Sequence, residues 1–342
     1  MHHDFTMRST HRPRRLEILL LGAVSIVATM DRGLYRSALA SAPVDVYILA
    51  GQSNMQGQGV VDLDHPQYYN SGRGTLQFVM RQPGQLKRYA HLRDADGKWL
   101  VRDDVFVRYR TQQGVKAGGL TIGFTGYPGR HHIGPEFQFG HVLGQQNDSP
   151  VLLIKTAWGG KSLYRDFRPP SAGGTTGPYY LKMVSQVREA LTQIDTEFPA
   201  LAGREHRIRG FVWFQGWNDM FDPQALSEYE TNLHHLIHDV RREWKQATLP
   251  VVIGELGNGG PQAGKNMLKL RKAQSTAAAR PDYRGTVSFV PTTAFARPKQ
   301  DSPNVGHGHH WFGNAESYFL IGDALGHAML RLRNTTDPQV TP

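Results

Sequence analysis

Past residue 43 the first clear hydrophobic signal is Val-Tyr-Ile-Leu-Ala at 46–50, unbroken and ending abruptly in Gly51-Gln52-Ser53-Asn54. A run of β-branched and aromatic residues closed by glycine reads as a buried strand followed by a sharp turn. A second unbroken run, 151–154, reads as a strand covered on both faces. Further strands are predicted at 208–214, 249–253 and 286–290, with short ones at 76–80 and 105–109. Helical spacing recurs at 135–146, 179–194, 226–244, 266–279 and 315–332. Pro135 stands in the first turn of its helix, where a missing N–H costs nothing, and Phe137, Val142 and Leu143 are its apolar contacts. Strands separated by helices imply βαβ crossovers and a parallel sheet, so the fold class is α/β, a three-layer α/β/α sandwich. Residues 56–133, rich in Gly, Arg and aromatics, read as a loop-rich insertion around the strand tips.

The N-terminus follows a different pattern. Arg12, Arg14 and Arg15 precede an apolar stretch at 18–30, followed by the small residues Ala38, Ala40, Ser41 and Ala42. That order fits an export signal, and thirteen apolar residues are short for a bilayer span; an uncleaved anchor is the alternative. The expected organisation is a signal peptide or anchor at 1–42, one α/β domain at 43–335 and a tail at 336–342. The chain is expected in the periplasm or outside the cell, with no stable membrane span once cleaved. A mature chain starting between Ala38 and Val44 is the expected result of N-terminal sequencing of exported protein; recovery of Met1 would overturn it. With no cysteine among 342 residues, disulfides contribute nothing to the exported fold.

Charge changes the picture little. Lys plus Arg exceed Asp plus Glu by 39 − 29 = 10, partly through arginines in the first 36 residues. No basic stripe carries interleaved aromatics, so nucleic acid is not an expected partner.

The chemistry collects at the ends of strands, where open α/β sheets bind ligands. Ser53, at the tip of the first strand, is placed to act as a nucleophile or, alternatively, to cap a helix. Gly159-Gly160 follows the 151–154 strand, either as a tight turn or as a source of backbone N–H groups for an oxyanion. Gln215-Gly216-Trp217-Asn218-Asp219 follows the next strand, with side-chain amides as neutral donors or as turn residues. Before the last helix comes His307-Gly308-His309-His310-Trp311, where a histidine would serve as the base. The same histidines at His-x-His spacing are a weaker candidate for a metal site. No carboxylate stands at helical spacing from them, so no metal or cofactor is expected.

These blocks, Gly51-Gln52-Ser53-Asn54, Gly159-Gly160, Gln215-Gly216-Trp217-Asn218 and the histidine segment, resemble the SGNH hydrolase superfamily. More narrowly they resemble its carbohydrate esterase branch, which includes acetylxylan esterases and sialate O-acetylesterases. The resemblance implies a flavodoxin-like sandwich with Ser53 as nucleophile. It further implies an oxyanion hole from Gly159 or Gly160 and Asn218, with Gln215 nearby. Gln52, Trp158 and Trp217 are the expected substrate contacts, and an acetylated carbohydrate is the implied partner. Two departures stand out: Trp217 follows Gln-Gly where the branch commonly has Glu, and no aspartate lies three residues before His309 or His310. His310 is the expected base because Trp311-Phe312-Gly313-Asn314 follows it, with His309 the alternative. Asp301 is the nearest upstream carboxylate, and a Ser-His pair without an acid is the other arrangement. A carbohydrate-binding protein that has lost its chemistry and a lipase or thioesterase remain as rival functions.

Overall fold

In the computed structural model residues 42–336 are described. The signal or anchor expected at 1–42 lies outside them apart from Ala42, as does the tail beyond Thr336. Nine strands occur among the described residues: β1 (Val44–Gly51), β2 (Gly59–Val60), β3 (Val105–Thr111), β4 (Gly114–Gly119), β5 (His132–Ile133), β6 (Val151–Ala157), β7 (His206–Phe214), β8 (Val251–Gly254) and β9 (Val287–Val290). Seven form one sheet in the order β4-β3-β6-β1-β7-β8-β9. All neighbours run parallel except the hairpin β3–β4, and β2 with β5 makes a separate antiparallel ribbon.

Alternation along β1 separates two cores. Tyr47 and Leu49 face a cluster that includes Phe139 and Val142 of helix α3 (Pro135–Gln145) and Tyr318 and Leu325 of α7 (Ala315–Thr336). Val46, Ile48 and Ala50 face the other layer, built from α4 (Pro178–Thr192), α5 (Pro223–Glu243) and α6 (Lys265–Ala278). All eight β1 residues are buried. At roughly 1.5–3 kcal/mol for each large apolar side chain removed from water, this strand holds the sandwich together.

The sheet order also fixes where a ligand belongs. β1 lies between β6 and β7, and the chain leaves it on one side for β6 and then crosses back to β7. The crevice at their carboxyl ends is therefore the topological switch point. Gly51 is required there for space: a Cβ on it would come within 2.2 Å of the Phe214 carbonyl oxygen.

The three-layer expectation holds, with local differences. Residues 76–80 form a helix, α2 (Leu76–Met80), rather than a strand. Thr75 caps it by accepting from Phe78 N at 3.2 Å, and Leu76 and Val79 bury one face three residues apart. The 105–109 strand continues through a hairpin, so the insertion widens the sheet by two strands. Helix α5 begins at Pro223, three residues before the expected Leu226, because Asp222 accepts from Gln224 N and Ala225 N.

Candidate active site

Ser53 opens the single-turn helix α1 (Ser53–Gln56) at the carboxyl end of β1 and is 9% exposed. Among the described residues its hydroxyl makes no hydrogen bond to protein, so the cap reading does not account for it. The residues on either side are fully engaged. Gln52, 1% exposed, donates its amide to Asn218 Oδ1 at 3.1 Å and accepts from Gly216 N at 3.2 Å. This ties the serine turn to the tip of β7 and leaves the Asn218 amide N–H groups as donors. Gln52, expected as a substrate contact, is buried here and braces the serine turn.

On the other side, Asn54 donates to the His309 carbonyl at 3.1 Å and accepts from Tyr318 Oη at 2.7 Å. Asn258 adds donors to the Gly308 and His309 carbonyls. The histidine segment is held by its backbone against α1 while its rings stay free. That hold supports a strained turn: Trp311 and Phe312 both adopt left-handed backbone, at φ 54°. Such positions cost about 1–3 kcal/mol each in bulky residues, and functional sites are where they gather. Here Trp311 is 2% exposed, and burial of the indole helps offset the strain.

The three imidazoles cluster. His310 lies 4.0 Å from His309 and 6.2 Å from His307, ring centre to ring centre, and His309 lies 5.6 Å from Trp217. Desolvation, then the neighbouring His309 and His307, push the His310 pKa down to about 3; His309 is lowered by desolvation and then by His307. The His310 ring is therefore neutral over the ordinary pH range. Among the described residues no carboxylate acts on either ring, and no group of three His, Asp or Glu side chains, the clustered imidazoles included, is arranged to hold a metal ion.

Asp301 is exposed and sits in a short 3-10 turn. Its backbone carbonyl accepts from Asn314, and its carboxylate does not reach the histidines. The bend through Pro303 and Gly306 does not return it to them. Gln215 is also turned away: its amide donates to the Lys161 carbonyl and to Asp219, and its oxygen accepts from Tyr229. No side-chain donor of Gln215 is left for an oxyanion. Asp219, fully buried, also accepts from Leu163 N and Tyr164 N at 2.9 Å, which anchors the loop after the glycine pair. Burial raises its pKa to about 6, against the pull of those donors.

The glycine pair divides its work. A Cβ on Gly159 would lie 3.7 Å from Ser53 Cβ, so this backbone borders the serine. Gly160, at φ 71° with open space around it, makes the turn. A cleft of about 490 Å3 extends from Gly159 past Trp158 and Tyr179. On the histidine side a second cavity of about 540 Å3 is lined by His309, Trp217, Phe221 and Met267.

One feature of the site carries no motif. Lys155, inside β6, is wholly buried and forms an ion pair with buried Glu136 at 2.7 Å. Its Nζ also donates to the Gln56 carbonyl at 2.9 Å and the Phe124 carbonyl at 2.7 Å. Burial pushes Lys155 down and Glu136 up, while each charge draws the other back. The pair holds the end of α1, and so the base of the serine turn, against the start of α3.

A curated Arabidopsis thaliana protein, described as the probable carbohydrate esterase At4g34215, is 25% identical over 234 residues, covering 68% of this chain and 75% of that one. The solved structure of that Arabidopsis protein superposes with a TM-score of 0.53 at 16% identity, over 84% of this chain and 98% of that chain. A carbohydrate acetylesterase from Xanthomonas citri, XAC1771, gives a TM-score of 0.48 at 17% identity, over 83% of this chain and 55% of that one. The family model for carbohydrate esterases described as sialic acid-specific acetylesterases matches residues 43–331, which is nearly all of the chain beyond the N-terminal segment, and the protein belongs to that family.

Proposed function

We propose that the protein is a serine carbohydrate esterase that removes acetyl groups from acetylated sugars by two-step acyl transfer. Ser53 attacks the ester carbonyl, and His310, with His309 as the alternative, takes the serine proton and returns it to the leaving sugar oxygen. The tetrahedral oxyanion is met by the Gly159 backbone N–H and the Asn218 amide. Water activated by the same histidine then releases acetate and restores the serine. The observation that carries the reading is the double brace on the serine turn: Gln52 to Gly216 and Asn218 on one side, Asn54 to the histidine segment on the other. Trp217, packed on His309 and bordering the histidine-side cavity, is the aromatic surface for the leaving sugar.

Among the described residues no carboxylate supports the base, so a Ser-His pair oriented by packing is the arrangement proposed. The same feature favours a second reading, a sugar-binding protein without turnover. Acetate release from acetylated saccharides by the wild type and by Ser53→Ala separates the two: activity that depends on the hydroxyl supports the esterase, and an inert wild type supports the binder.

The lowered pKa of His310 makes a pH prediction. An imidazole held at about 3 stays unprotonated well below the ordinary value near 6.5, and only then loses its capacity as base. The acid limb of kcat/KM is therefore expected below pH 6, with most activity kept at pH 5. A limb at 6.5 or above would refute the assignment. Stability runs the same way: between about 6.5 and 3 the unfolded chain binds the proton more readily, so this group's contribution declines as pH falls through that window.

A further inference from the structure

The cleft that runs from Gly159 away from the histidines has a character the acetyl transfer does not need. An acetyl group is two carbons long, whereas this space is about 490 Å3 and is polar. Its walls come from the β3–β4 hairpin, from Trp158 and from α4. Arg110, Lys161 and Lys182 line it, and no Asp or Glu does.

The three cations are not equivalent. The Arg110 guanidinium is bonded to Glu189, and Lys161 has Asp166 at 3.5 Å. Lys182 has no carboxylate partner among the described residues. Its Nζ sits 5.2 Å from the centre of the Trp158 ring and 5.5 Å from that of Tyr179, whose faces hold the ammonium at the cleft. One turn along the same helix Gln186 also lines the cleft. It is only 6% exposed, and its side-chain oxygen is buried without a hydrogen-bond partner. A buried amide left unpaired is costly, and a ligand that supplies hydroxyl groups would satisfy it.

We propose that this cleft is a subsite for a carboxylate-bearing sugar unit next to the unit that carries the ester. Lys182 meets the carboxylate, the Gln186 amide pairs with ring hydroxyls, and Trp158 with Tyr179 forms the apolar wall. Gly159 borders both Ser53 and the cleft, so one saccharide chain reaches from the ester into the subsite. The inference rests on the carbohydrate esterase reading but specifies a substrate: an acidic oligosaccharide rather than a neutral one or a single sugar.

Binding without chemistry tests it. Wild-type protein is titrated calorimetrically at low salt with two unesterified ligands, a trimer of galacturonic acid and xylotriose. The acidic trimer is expected to bind about tenfold more tightly, the scale of one charge-assisted hydrogen bond, and added salt should shrink the margin. Lys182→Gln should remove the margin, and Gln186→Ala should weaken both ligands. Lys182 is exposed on its helix, so its substitution leaves the fold intact, as circular dichroism would verify. Equal affinities in the wild type, or a margin that survives Lys182→Gln, would overturn the subsite. Neither ligand contains an ester, so this outcome is independent of whether Ser53 turns over acetate.

Discussion

The Ser53→Ala protein is expected to hydrolyse an aryl acetate at least about ten-thousand-fold more slowly than the wild type, the scale on which a lost serine nucleophile acts in serine hydrolases. Its stability is expected to change by less than about 0.5 kcal/mol, because the hydroxyl makes no hydrogen bond to the described protein and removing it orphans nothing. The two readouts together are informative. Activity loss in a protein that melts normally assigns the hydroxyl a chemical role, while loss accompanied by unfolding would make it structural. Full turnover by a folded Ser53→Ala protein would end the esterase assignment at this residue.

Lys155→Met is expected to produce the largest loss of stability, about 3–5 kcal/mol in urea denaturation, since it leaves the Glu136 carboxylate buried without its partner. Lys155→Met combined with Glu136→Leu should recover most of that loss, because the cost lies in the uncompensated charge and not in the volume. Activity in the single variant should fall as well. The Gln56 carbonyl loses the ammonium that holds it, and the serine turn loosens at its base. A single variant within about 1 kcal/mol of wild type would show that Glu136 simply takes up a proton, and that the pair is not what holds the turn.

Much of the architecture is legible in local sequence. The unbroken runs at 46–50 and 151–154 become adjacent parallel strands, and the helices predicted between the strands are present with shifted ends. The misses have local causes of their own. Leu76-Gln77-Phe78-Val79-Met80 has strand composition, but Thr75 supplies a helix cap and Leu76 with Val79 has helical spacing. The Asp222-Pro223 start of α5 was equally readable as a cap followed by proline. Lys155 was not, because a cation at the end of an apolar run looks like the end of a strand. In the structure β6 continues to Ala157, and the lysine finds its carboxylate on another element.

The candidate site divides in the same way. Ser53, Gly159 and Asn218 are visible as strand-tip residues and the histidines as the segment before the last helix, whereas Asp301 and Gln215 sit at suggestive positions but are engaged elsewhere. Asn54, Asn258 and Tyr318, which hold the histidine segment, carry no signal of their own.

By itself, then, the sequence determined which segments become strands and helices and which reactive residues stand at their ends. Those choices rest on hydrophobic spacing two to four residues apart. Only the tertiary structure decided which amide braces which loop, which carboxylate is spent on packing and which cation has no carboxylate partner among the described residues. Gln52 meets Asn218 across 166 residues and Asn54 meets His309 across 255. Such pairings depend on the order of strands in the sheet and on what each buried polar group needs for a partner, and neither is written in local periodicity.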